Sequence, residues 1–185
     1  MEGQAEDVVD AVPSGNWAKV DTDVAAVADA WATYRARATQ EGATPILQDA
    51  LTSALPRLQA ASKAKDAIAT MQAANDLSAA VIDLFDLYHP AVPTDIGRLD
   101  VLERQIVLDM AANNFAAATD TFAKVKTVWE RVKPAVVAHN GVDVAAQFDA
   151  GLTAQATALS TQDATALTSE ATHGLEIVDV LEKVF

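Results

Sequence analysis

Five residues in this chain have the type and spacing to hold a cation. Glu103 has Leu99 four positions before it and Ile106 three after it. Helical geometry therefore sets its carboxylate on a packed stripe. Asp100 lies one turn earlier, Asp76 and Asp83 share a helix flank at i, i+7, and His173 offers an imidazole. Carboxylate oxygens with one imidazole suit Zn²⁺, Mn²⁺ or Fe, and oxygens alone suit Ca²⁺. The pattern predicts a divalent-cation site drawn from Glu103, Asp76, His173, Asp100 and Asp83. The competing reading pairs Glu103 with Arg98, Arg104 or a neighbouring helix and leaves the other four solvated.

His173-Gly174-Leu175-Glu176 is an H-x-x-E pattern on a helix of an acidic chain. It resembles the motif of imelysin-like proteins, a resemblance that implies metal uptake. The match covers these four residues only, and the chain is assigned to no family on it. On a helical wheel, Gly174, Ile177, Val178, Leu181 and Phe185 define the apolar face. His173 then lies about 90° from its centre and Glu176 nearly opposite. Met71 and Met110, with His173, could hold Cu(I) or haem, although methionine more often fills core space.

Catalytic signatures are missing. The three histidines are His89, His139 and His173, with Asp86 three residues before His89 and Glu170 three before His173. A di-iron bundle needs the E-x-x-H pattern on each of two helices, and Glu170-x-x-His173 is its one occurrence. Glycine-rich phosphate loops and H-E-x-x-H are absent. Without cysteine there is no thiol nucleophile, disulfide or iron–sulfur cluster. The chain reads as a non-enzyme.

The elements that must position these residues are helices. Trp17, Val20, Val24, Val27, Trp31 and Tyr34 repeat at 3–4 spacing, as do Phe115, Ala118, Phe122, Val125, Trp129, Val132 and Val136. Leu77, Val81, Leu84 and Tyr88 form a further stripe, and Leu167, Ala171, Gly174, Val178, Leu181 and Phe185 another. Sustained 3–4 spacing describes helices packed at shallow angles. Three breaks interrupt it: Gly42 before Pro45, Pro90 with Pro93, and Asn140-Gly141. They divide the chain into four rods at about 16–40, 44–88, 95–139 and 142–185. Thr94 or Asp95 would cap the third.

A repeat lies beneath the rods. Asn16, Asp66, Asn114 and Asp163 each precede a helical stripe, at intervals of 50, 48 and 49 residues. Asn and Asp are good helix N-caps, so each is a candidate point of restart or kink. The expected fold is all-α: an up-and-down antiparallel four-helix bundle with long helices kinked or broken midway. The three longer rods would span about 65–70 Å if straight. One half of the molecule would then hold four helices. The other would hold three, completed by the N-terminal segment. An αα-hairpin repeat or solenoid is the alternative.

Residues 1–15 read as a loosely ordered acidic segment, and 16–185 as a single bundle domain. The net charge of −13 argues against nucleic acid and anionic membranes as partners. No apolar run approaches the ~18–20 residues of a membrane span. Residues 76–109 hold seven acids and two arginines, and residues 170–185 four acids and one lysine. An acidic region of this kind points to a cationic ligand or a protein partner. The N-terminus lacks a signal-peptide pattern. The reading is a periplasmic or secreted mature domain or lipoprotein, with a cytoplasmic protein as alternative. The function expected is a non-catalytic helical-bundle binding or accessory protein that takes a divalent cation at its acidic half. The alternatives are a purely structural or protein-interaction module and, third, a haem- or copper-binding bundle.

Overall fold

The structure is a computed structural model describing residues 1–185. It contains eight helices and no strand: α1 (Glu2–Ala11), α2 (Trp17–Gln40), α3 (Pro45–Ala64), α4 (Ala67–Phe85), α5 (Thr94–Ala111), α6 (Phe115–Ala138), α7 (Val142–Thr161) and α8 (Ala164–Glu182). No helix is long and apolar enough to cross a membrane.

The breaks at Asn16, Asp66, Asn114 and Asp163 are reversals, not kinks. At each, the residue before the cap takes a left-handed conformation: Gly15 (φ 69°), Lys65 (φ 54°), Asn113 (φ 55°) and Gln162 (φ 53°). The cap's backbone N–H then donates five residues back, Asn16 to Ala11, Asp66 to Ala61, Asn114 to Asp109 and Asp163 to Ala158. This closes the earlier helix as a Schellman turn. The same residue opens the next helix, its side chain accepting from the N–H three positions on at Lys19, Ala69, Ala117 and Ala166. One short polar residue thus satisfies orphan groups at two helix ends. The chain folds back on itself, α3 against α4, α5 against α6 and α7 against α8. The period near 49 residues is an αα-hairpin, and the long rods of the sequence reading do not form.

The hairpins group into two compact units, Met1–His89 and Pro90–Phe185. The division falls where Pro90 and Pro93 stop a helix from continuing. In the first unit each helix packs on the next and α1 packs on α4. Residues 1–15 belong to it. Ala5, Val8, Ala11 and Val12 recur at helical spacing and are buried, so burial outweighs the charge of the intervening acids. The core joins Val8 to Val20, Val24, Val27 and Trp31 of α2, Leu51 and Leu58 of α3, and Leu77, Val81 and Leu84 of α4.

The second unit repeats the pattern, with α5 packed on both α6 and α8. Its core runs from Ile96, Leu99 and Ile106 through Phe122, Val125 and Trp129 to Phe148, Leu167, Val178 and Leu181. The rings of Trp129 and Phe148 lie 4.6 Å apart. Helix α5 begins at Thr94 with Pro93 at the cap position, one residue earlier than a Thr94 cap would allow. Asp95, inside the first turn, accepts from Arg98 at 3.0 Å and from Arg131 of α6 at 2.5 and 2.6 Å. Those arginines hold its carboxyl below the usual range.

Candidate functional site

The second unit holds a fully buried carboxyl group. On α5 the stripe Leu99, Glu103, Ile106 and Met110 faces inward, and Glu103 has no exposed surface. On α7 the stripe Phe148, Gly151, Gln155 and Ala158 is likewise buried, and Gln155 Nε2 donates to Glu103 Oε2 at 2.8 Å. Gly174 of α8 makes the space. A Cβ there would stand 2.7 Å from Glu103 Cδ and 2.9 Å from Oε2. Burial pushes the Glu103 carboxyl up to about 8, Asp100 one turn away adds to the rise, and the Gln155 hydrogen bond opposes it.

The predicted ligands are not assembled around Glu103. His173 is exposed, and its Nδ1 lies 3.0 Å from Glu176 Oε2, so the H-x-x-E pattern forms a surface pair one turn long. Asp100 is ion-paired with Arg104 at 2.6 Å. Asp76 and Asp83 stand on α4 in the first unit. There Asp76 accepts from Gln72 at 2.9 Å and faces Arg57 at 3.3 Å. Asp83 is exposed. The proposed soft-metal set is scattered as well: Met110 is core in the second unit, and Met71 packs against the core of the first. The acidic stretch 76–109 is itself divided between the units.

A second site lies in the first unit, in a cavity of about 330 Å³. Val81, Leu84 and Phe85 of α4 give it an apolar wall, completed by Met1, and Tyr34 and Arg37 of α2, Glu41 and Tyr88 close the polar side. Glu41 is the C-cap of helix α2, and its Oε1 accepts from Arg37 Nε at 2.5 Å. Its Oε2 accepts from Tyr34 at 3.1 Å and from Tyr88. Tyr88 and then Arg37 hold the Glu41 carboxyl below its usual range, and the same hydrogen bond raises the Tyr88 phenol. Two tyrosine hydroxyls and one ion pair therefore converge on an apolar hollow.

No family model, curated protein or solved structure matches the chain.

Sequence reasoning reached Glu103 but missed Gln155 and the cavity. Gln155 carried a signal, since it continues the 3–4–3 stripe of Phe148, Gly151 and Ala158. Tyr34 and Tyr88 were on predicted stripes, but Arg37 and Glu41 look like an ordinary i, i+4 surface pair.

Proposed function

We propose that the chain is a non-catalytic binding module of two four-helix bundles in tandem, with its ligand site in the α2–α4 cavity of residues 1–89. One observation carries this reading: an apolar hollow with convergent polar groups on one side. That is the usual make-up of a small-molecule pocket, and its volume falls at the lower end of the range. A small, largely apolar ligand with one hydrogen-bonding end fits. Its apolar body would rest on Val81, Leu84 and Phe85, and its polar end would meet Tyr34, Tyr88 and the Arg37–Glu41 pair. The non-catalytic part is supported by the surroundings of the histidines. His173 meets a surface glutamate, and His139 meets the Ala135 carbonyl at 2.9 Å and the Phe185 ring.

The test is a chemical-shift titration of isotope-labelled full-length protein with a panel of monoaromatic alcohols, amines and carboxylates. The expected result is a saturable response confined to Tyr34, Leu84, Phe85 and Tyr88, weakened about tenfold or more in Tyr88→Ala. Absence of any localised response at millimolar concentrations would overturn the reading. In a parallel arm, a melting shift with Zn²⁺, Mn²⁺, Fe²⁺ or Ca²⁺ that is lost in Glu103→Gln would restore the divalent-cation reading instead.

A further inference from the structure

Two buried oxygens of one side-chain pair lack a hydrogen-bond partner: Glu103 Oε1 and Gln155 Oε1. The other atoms of that pair are already joined, with Gln155 Nε2 donating to Glu103 Oε2. An ionised carboxylate cannot repair the defect. It has no hydrogen to give, and an amide oxygen only accepts. A neutral carboxyl can, because its O–H donates where the amide oxygen accepts. Acid and amide then share two hydrogen bonds in a ring, and both orphans are satisfied. Buried polar atoms are rarely left unpaired, which favours the closed ring over two open acceptors.

We propose that Glu103 carries a proton in the folded protein, that its hydroxyl donates to Gln155 Oε1, and that the ring is a proton-dependent latch joining α5 to α7 beneath α8. This goes beyond the cavity reading of residues 1–89 and stands independently of it.

The charges around the latch agree. On α5 itself, Asp100 is the near neighbour and is paired with Arg104. Asp109, two turns on, accepts from Gln105 and from Thr121 of α6, and Asp95 is held by Arg98 and Arg131. On α6, Lys133 is committed to Asp149 of α7 at 2.6 Å. Asp120, Lys124, Lys126 and Glu130 of α6 and Asp143 of α7 are exposed. On α8, Gly174 faces Glu103 without a side chain. His173, Glu176, Asp179 and Glu182 are exposed, and Glu170 is half-buried. The charge acting on Glu103 is the like charge of Asp100, which favours the neutral acid together with burial. Loss of the proton would leave a desolvated anion with one donor and break the ring, releasing α7 from α5.

The experiment is a carbon and nitrogen NMR titration of the full-length wild-type chain. It follows Glu103 Cδ and the side-chain amide of Gln155 from about pH 4 to about pH 9. Glu103→Gln, which can form the equivalent two-amide ring, serves as the locked reference. The expected result is a Glu103 midpoint several pH units above those of the exposed glutamates, with the Gln155 amide moving at the same midpoint. In Glu103→Gln the Gln155 amide should be invariant with pH. Glu103 titrating alongside the exposed glutamates would overturn the proposal. So would a Gln155 amide that stays still through the Glu103 midpoint. The wild-type titration decides the matter even where the variant folds poorly.

Discussion

Raising the pH through neutrality should loosen Pro90–Phe185, and the size of the effect follows from Glu103. In the unfolded chain this carboxyl releases its proton near its ordinary 4.5, and in the folded chain near 8. Below 4.5 both states hold the proton, and its contribution to stability is intact. Between 4.5 and 8 only the folded state holds it, so each pH unit removes about 1.4 kcal/mol. Above 8 both states are ionised and the loss levels off. The gap of about 3.5 pH units sets a ceiling of about 5 kcal/mol, a large share of the ~5–15 kcal/mol typical of a folded domain. Asp95 and Asp149 have folded values lowered from 3.8. They gain stability only as the pH rises through the acid range, and they leave the Glu103 window unmasked. The assay is urea unfolding followed by Trp129 fluorescence in a W17F/W31F background, which leaves one tryptophan, in the second unit. The urea midpoint should fall steadily from about pH 5 to about pH 8 in this protein and stay nearly flat in the matching Glu103→Gln variant. The two proteins should be close at the acid end and separate toward the alkaline end. Parallel profiles would refute the reasoning, because the slope would then belong to other groups.

Two further perturbations test the packing and the turns. Gly174→Ala places a methyl group 2.7 Å from Glu103 Cδ. Overpacking of ~1–3 kcal/mol should outweigh the ~1 kcal/mol helix-propensity gain. The melting temperature should drop, and a Glu103→Ala partner should suppress the drop in a double-mutant cycle. Gln162→Gly relieves a left-handed residue at φ 53° and should raise stability by about 1 kcal/mol in denaturant titration. Asn113→Gly should gain less, because Asn tolerates that region better.

The helices were legible because their cores are written in 3–4 stripes, such as Phe115 to Val136 and Leu167 to Phe185. The caps were legible too, since Asn16, Asp66, Asn114 and Asp163 all cap as expected. What they could not show was direction. A cap at a kink and a cap at a reversal use the same residue, and the difference lies in the preceding position. Gly15 and, more weakly, Asn113 advertise a left-handed turn there, whereas Lys65 and Gln162 adopt it under tertiary packing without a sequence signal. Helix α1 was hidden for a similar reason: Ala5, Val8 and Ala11 are a faint stripe among acids. Glu103 was found because Leu99 and Ile106 bracket it. Its partner Gln155 was not, because an isolated glutamine ordinarily reads as solvated surface.

The closing of each unit by its own first and last helices bears on how the chain folds. Every hairpin pairs residues near in sequence, so helix pairs can form on the fast timescale of local contacts. The slow step in each half is then the docking of one finished hairpin on the other. All the packing partners of α1 through α4 that build the first core lie within Met1–His89. On a ribosome delivering the chain from its N-terminus, that half can complete its core before α5 has been synthesised. The order of synthesis thus becomes the order of folding, and an edge left open by one half need never wait for the other.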